Sequence, residues 1–307
     1  MNLVEYQEIN NAFKRTLVFH LGVEAGFFSE FNNMVLAMLY CLHHGIRFVL
    51  YSDDANFGLG RGWEDVFMPF CEETRRPEHR EFNQRYLLNG ISPAKLRRSL
   101  LFKKSNDIDF LTFELWNDFR GWSFESQLFS FAGHDRLDLR DAARILISML
   151  WRYNAATAAE IEAIRSTVPL AEHYLGIHAR SGDKLAEAPL LGISAYMEKA
   201  KSRSPLRHVF LLTDNYALYQ EACRRHPEHL FSTLCTPCER GYSHRSFMRQ
   251  ERKLRHAQLL RLLASIDILA CAEYFVGTFS ANPGMYLGMR MSKDRVFAVD
   301  RENWTIW

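Results

Sequence analysis

The segment His178-Ala179-Arg180-Ser181-Gly182-Asp183-Lys184 follows the apolar run Tyr174-Leu175-Gly176-Ile177 and precedes Glu187. An apolar run that ends in His, Arg, Asp, Lys and Glu predicts a strand whose exit turn can hold a phosphate and move a proton. Arg180 offers a planar fork suited to two phosphate oxygens; its plainer alternative is a surface salt bridge, for instance to Asp183. A second apolar run, Tyr274-Phe275-Val276-Gly277, ends in Thr278-Phe279-Ser280-Ala281-Asn282. A turn between strand and helix can present backbone N–H groups together with the Thr278 and Ser280 hydroxyls to an anion. Protein groups of this kind remove the need for a metal ion, and none is expected.

These turns need a scaffold, and the chain supplies one. Thr16 to Leu21 reads as a strand, Gly22 to Ser29 as a glycine-containing loop, and Glu30 to His44 as a helix with Ser29 as N-cap. Gly45 closes that helix and Ile46 to Tyr51 makes a second strand, so 16–51 form a βαβ unit. Residues 58–150 mix aromatic and charged side chains, with helices expected around 125–131 and 138–165; their aromatics suit an acceptor cleft or an ordinary core. From 173 on, strands and helices alternate: strand 173–178, a helix opened by Ser194, strand 208–213, helix 216–225, a weaker strand 230–234, helix 248–272, strand 274–277, a helix after Pro283 and a last strand 295–299. Such alternation predicts a parallel, doubly wound sheet with ligands at the carboxyl ends of its strands. Asp214, in Thr213-Asp214-Asn215 at one such end, suits either a nucleotide base or the N-cap of the following helix.

At 307 residues the chain exceeds the usual single-core limit of about 250–300 residues, so two domains are expected. The boundary is placed at 165–172, giving 1–168 and 169–307. The formal charge of +2 argues against non-specific binding of nucleic acid or acidic membranes, and clusters such as Arg97-Arg98 with Lys103-Lys104 read as solvated faces. No run of about twenty apolar residues and no signal-like N-terminus is present, so a cytoplasmic protein with no integral membrane segment is expected. Six scattered cysteines read as reduced thiols, with Cys41 and Cys271 on buried helical faces. Cys235-Thr236-Pro237-Cys238 has half of a zinc or redox spacing, but only His244 lies nearby, and a surface loop is the preferred reading.

The two exit turns resemble the peptide motifs of the α1,6/α1,2/protein O-fucosyltransferase superfamily, with its α1,6 branch the nearest parallel. The matching residues are His178, Arg180, Asp183, Lys184, Glu187, Ala188, Thr278, Phe279 and Ser280. Ser181 stands where that family carries a second arginine, keeping a donor but losing a permanent cation. The resemblance implies a GT-B architecture of two Rossmann-like domains, with the C-terminal one binding the nucleotide sugar. It implies an inverting transfer, without a divalent cation, of L-fucose from GDP-fucose to a hydroxyl of a glycan acceptor. On this parallel Glu187 is the base, Lys184 orients it or relays its proton, and Arg180 holds the diphosphate. His178 shapes the donor pocket, Asp183 orients Arg180 or the turn, and Asp214 lies near the nucleotide. The family's guanine-reading acid aligns with Ser265, leaving Asp267, two residues on, as the candidate. Gly26, Ser29, Asn32 and Asn33 resemble the family's loop and helix start beside the cleft; a plain capped βα turn is the alternative.

Three other readings compete. Asp107-Ile108-Asp109 matches the Asp-x-Asp of metal-dependent transferases but follows Lys103-Lys104-Ser105-Asn106 instead of an apolar strand. Gly58-Leu59-Gly60-Arg61-Gly62 lacks the dinucleotide spacing. The third is a non-catalytic GDP-sugar or glycan-binding protein on the same scaffold, since fold and function are separable.

Overall fold

The computed structural model describes residues 1–306 apart from 23–24, 86–91, 122–123, 125 and 183–190. The chain forms two compact units, Met1–Asn154 and Ala155–Ile306. The division falls before the expected 165–172, because the helix Ala155–Ser166 packs on the helix Arg252–Cys271 of the second unit. The expected helix over 138–165 is two helices, Leu139–Leu150 and Ala155–Ser166, and the break between them is where the units part.

The first unit contains the expected βαβ. Strand β1 (Arg15–His20) pairs in parallel with β2 (Ile46–Tyr51) and with the short β3 (Phe110–Leu111), in the order β2-β1-β3. The helix between β1 and β2 starts at Phe27, with Gly26 and not Ser29 at its N-cap, and ends at Gly45. Gly45 has φ 63°, a left-handed conformation that glycine adopts without steric cost. The helix is buried almost all round, because Phe27, Phe31, Trp63, Phe67 and Trp151 stack on one another about it. The aromatics of 58–150 are thus largely core. Residues 129–131, expected to be helical, are instead β4 (Phe129–Phe131), which pairs antiparallel with β5 (His134–Leu137). Ala132 and Gly133 both take positive φ, the backbone that a tight hairpin turn requires.

The second unit is the parallel sheet predicted by the alternation. Its strands are β6 (Leu175–His178), β7 (His208–Leu212), β8 (Leu230–Ser232), β9 (Tyr274–Gly277) and β10 (Val296–Ala298), ordered β10-β9-β6-β7-β8. All pairings are parallel. The core on one side joins Leu175, Ile177, Val209, Leu211 and Val276 to the helix Ile193–Lys201. That helix is entered from Gly192 and not from Ser194. The helix expected over 248–272 is a short His244–Met248 followed by Arg252–Cys271. Cys41 is buried as expected, but Cys271, at the last turn of its helix, is exposed. No helix among the described residues is long and apolar enough to cross a membrane.

Candidate functional site

Chain order reverses between β6 and β9: β7 and β8 follow β6 to one side, while β9 and β10 lie on the other. In open α/β sheets this switch point opens a crevice at the carboxyl ends of the strands, where ligands bind. Arg180 leaves β6 and Thr278 leaves β9, and these strands are direct neighbours, with Ile177 opposite Val276. A hundred residues of sequence separation therefore collapse to one strand spacing. Phe279 is buried whereas Thr278 and Ser280 are partly exposed, so the apolar ring anchors the turn and the hydroxyl residues flank it.

Each turn is braced by an aspartate from elsewhere. Asp214 accepts from the Ser181 N–H through Oδ1 (2.8 Å) and from the Tyr242 N–H through Oδ2 (2.8 Å), and its carbonyl accepts from the Gly241 N–H (2.7 Å). It ties the β6 turn to the 240–242 loop, and the following helix is capped by Asn215, whose side chain accepts from the Ala217 N–H. Its role as N-cap is thus taken by its neighbour. Gly182 has φ 69°, and a Cβ there would lie 2.3 Å from the Tyr242 carbonyl oxygen, so only glycine allows this approach. The Arg180 guanidinium, partly exposed, lies 5.6 Å from the centroid of the Tyr242 ring, a cation–π distance. Ser181 accepts at Oγ from Asn215 Nδ2 (3.3 Å).

On the other side, Asp300 follows β10 and accepts from the Phe279 N–H through Oδ1 and from the Ser280 N–H through Oδ2, both at 2.9 Å. Two of the backbone donors expected to face an anion are therefore engaged by the protein's own carboxylate. The Thr278 and Ser280 side chains are partly exposed, and the helix Asn282–Arg290 that follows has no side-chain cap. A Cβ on Gly284 would lie 1.9 Å from the Thr278 carbonyl oxygen, so this helix and turn are packed backbone to backbone. Sequence reading missed Asp300; an acid just after the last strand of a doubly wound sheet was the available signal.

His178 ends β6 fully buried, and its Nδ1 has no hydrogen-bond partner among the described residues. Burial, reinforced by the Arg180 charge, pushes its imidazole down to about 3, so it is a neutral wall residue beside the turn. Asp267 is buried on its helix and paired with Arg290 (2.7 Å). Ser265 donates to the Arg261 carbonyl of its own helix. Asp183, Lys184 and Glu187 lie outside the described residues.

Gly26, Ser29, Asn32 and Asn33 belong to the first unit. Gly26 caps the helix, Asn33 Nδ2 donates to the Ser29 carbonyl (2.7 Å), and both asparagines are buried. The capped-turn reading describes these contacts. The glycine loop at 58–62 holds an anion of its own: the N–H groups of Leu59, Gly60 and Arg61 all donate to Asp65 Oδ2 at 2.6–2.8 Å. Asp109 accepts from the Thr16 N–H (2.7 Å), fastening its loop to β1.

No protein-family model and no curated protein sequence matches the chain. Solved structures do. The fucosyltransferase NodZ from Bradyrhizobium is similar with a TM-score of 0.52 at 14% identity, over 91% of this chain and 94% of NodZ. NodZ α1,6-fucosyltransferase co-crystallised with GDP gives 0.53 at 14%, over 91% and 93%. A mutant of Arabidopsis thaliana FUT1 in complex with GDP gives 0.52 at 12% identity, over 90% of this chain and 68% of that one. This is the fucosyltransferase GT-B fold. Within that fold, the turns that the sequence singles out follow β6 and β9.

The first unit also contains a buried polar network at the carboxyl ends of β1 and β2, which sequence reading did not find. His20 Nε2 lies 2.8 Å from Asp54 Oδ1 and His20 Nδ1 lies 3.2 Å from the Asn83 carbonyl. Both ring nitrogens of this buried imidazole are thus within hydrogen-bond distance of an oxygen. Burial raises the Asp54 carboxyl, but His20 and Arg80 outweigh it and hold it below the usual carboxylate range. His79, buried beside Tyr51 and Phe102, is pushed down to about 4, chiefly by burial, with the nearby Arg76 charge acting in the same direction.

These shifts set an expected pH dependence. His178 and His79 fold with pKa values below their unfolded 6.5, so the unfolded chain binds more protons below that pH and stability falls as pH drops from 6.5 towards 3 to 4. Glu73, raised by burial to about 7, works in the opposite sense in the first unit and offsets His79. His178 is left uncompensated, with a slope of up to about 1.4 kcal/mol per pH unit. Thermal midpoints should fall steadily over that range, and less steeply in His178→Gln; a flat profile down to pH of about 4 would contradict the burial of this imidazole.

Proposed function

We propose that this protein is an inverting glycosyltransferase that moves L-fucose from GDP-fucose to a hydroxyl of a glycan acceptor without a metal ion. The observation that carries the reading is the juxtaposition of Arg180 and the Thr278–Ser280 turn on adjacent strands at the switch point of the second unit. The GDP complexes of NodZ and FUT1, which share the fold, support the choice of donor. As the bond between the anomeric carbon and the diphosphate oxygen breaks, negative charge grows on the departing GDP. Arg180 and the Thr278 and Ser280 hydroxyls are the groups that stabilise it. The acceptor oxygen attacks the opposite face of that carbon, and its proton passes to Glu187, with Lys184 orienting the carboxylate or relaying the proton. The acceptor binds beside Gly26, Ser29, Asn32 and Asn33, and the protein acts in the cytoplasm.

A donor panel tests this. GDP-fucose, GDP-mannose, UDP- and dTDP-sugars are incubated with the protein, with and without EDTA, and nucleotide release is followed. GDP release from GDP-fucose, undiminished by EDTA, is the expected result. Preference for a UDP- or dTDP-sugar, or loss of activity in EDTA, would overturn it. Ser181, whose hydroxyl is engaged by Asn215 where the family places a second cation, favours one alternative: a GDP-sugar-binding protein, recognised by tight GDP binding without turnover.

A further inference from the structure

Residues 240–256 carry six of the chain's 38 basic side chains (Arg240, Arg245, Arg249, Arg252, Lys253 and Arg255) against one acid, Glu251. Without this stretch the acids of the chain outnumber its bases. Among the described residues Arg245, Arg249 and Lys253 are exposed and form no ion pair, unlike Arg261, which is paired with Glu239. Like charges held so close repel one another, yet the segment is built in place. Asp214 holds its start through the Gly241 and Tyr242 N–H groups.

The segment is continuous with the site. The Arg180 guanidinium lies over Tyr242 at 5.6 Å, Tyr242 meets Phe247 at 5.8 Å, and Arg255 lies over Phe247 at 6.0 Å. His244 stacks on Phe247 and its Nδ1 lies 2.9 Å from the Tyr242 hydroxyl. The result is a shelf of rings studded with cations that begins at Arg180. Rings of this kind offer apolar faces and polar tips, and guanidinium forks suit carboxylate, sulfate or phosphate oxygens.

We infer that this shelf selects an acidic acceptor, a saccharide whose carboxylate, sulfate or phosphate groups bind the 240–256 cations while its free hydroxyl lies near Arg180. The inference rests on the glycosyl-transfer reading of that site. A long nucleic acid fits less well, because the stretch is short and the net charge of +2 gives no extended positive field to follow a phosphate backbone.

The test uses the full chain and four tetramers titrated separately: an oligogalacturonate, a sulfated heparin fragment, neutral chitotetraose and oligouridylate. At least one acidic saccharide should bind at least about tenfold more tightly than chitotetraose, a gap of one good charge-assisted contact, and which acidic one binds separates carboxylate from sulfate recognition. The triple variant Arg245→Gln, Arg249→Gln, Lys253→Gln should lose most of that preference with an unchanged melting temperature and unchanged GDP affinity. Equal affinity for neutral and acidic saccharides, retention of the preference in the triple variant, or tighter binding of oligouridylate would each overturn the inference. GDP titrated alone keeps the two claims apart: a chain that binds acidic saccharide but not GDP sinks the donor reading and leaves the shelf standing.

Discussion

Arg180→Ala should lower the rate of GDP release from GDP-fucose by about 100- to 1,000-fold, the loss typical of one preorganised charge-stabilising group. The size follows from what the guanidinium would do: charge on the departing diphosphate is greatest in the transition state, so its removal should cost turnover more than ground-state binding. On this reading Arg180 supplies the positive charge beside the Thr278 and Ser280 hydroxyls. Ser181 follows it with an uncharged side chain directed to Asn215, and the N–H groups of Phe279 and Ser280 are engaged by Asp300. Arg180→Lys should recover part of the loss, since it restores charge without the two-pronged fork. Steady-state kinetics and GDP titration on the same preparations separate the effects. Near-normal turnover in Arg180→Ala would remove Arg180 from the mechanism.

Asp300→Ala should have the second largest effect, and by a different route. Its carboxylate accepts from two consecutive N–H groups of the turn after β9, and bonds to a charged acceptor are worth about 1.5–3 kcal/mol each. Water can replace part of this at a partly exposed site, so a loss of about 2 kcal/mol in stability is expected. GDP affinity should drop by about tenfold or more, because the Thr278 and Ser280 hydroxyls would no longer be held at one distance from Arg180. Asp300→Asn keeps one acceptor oxygen and turns an N–H donor towards the other amide, so it should fall between wild type and Asp300→Ala in both measurements. Denaturant midpoints read the first quantity and calorimetric titration of GDP the second. A folded Asp300→Ala variant with undiminished GDP affinity would show that the turn does not need this brace.

Parts of the architecture were legible because they are local. The βαβ unit over 16–51 announces itself through two β-rich apolar runs, a continuous helical apolar face and a glycine at its end, and each of these acts within a few residues. The alternating second half is legible for the same reason, since buried parallel strands read as short apolar runs between amphipathic helices. The errors arose where local signals compete. Ser29 is a good cap by type, yet the helix begins earlier because Phe27, Phe28 and Phe31 are all wanted in the aromatic core. The segment 129–137 has no strong strand pattern; the positive φ of Ala132 and Gly133 makes the hairpin. The break at 151–154 separates two helices that would otherwise read as one, and with them the two units.

By itself the sequence determined which residue types stand at the strand exits: a guanidinium after one apolar run, hydroxyls flanking a buried phenylalanine after another. Their chemistry needs no tertiary structure to be recognised, because it belongs to the side chains. Only the tertiary structure decided that those exits are neighbours, through the parallel register of β6 with β9. It also decided which donors are left for a ligand. Asp300 takes two N–H groups of the Thr278–Ser280 turn, and Asp214 takes those of Ser181 and Tyr242. Hydrogen-bond partners far apart in the chain meet only once the sheet has formed, and nothing local to either residue marks the pairing in advance.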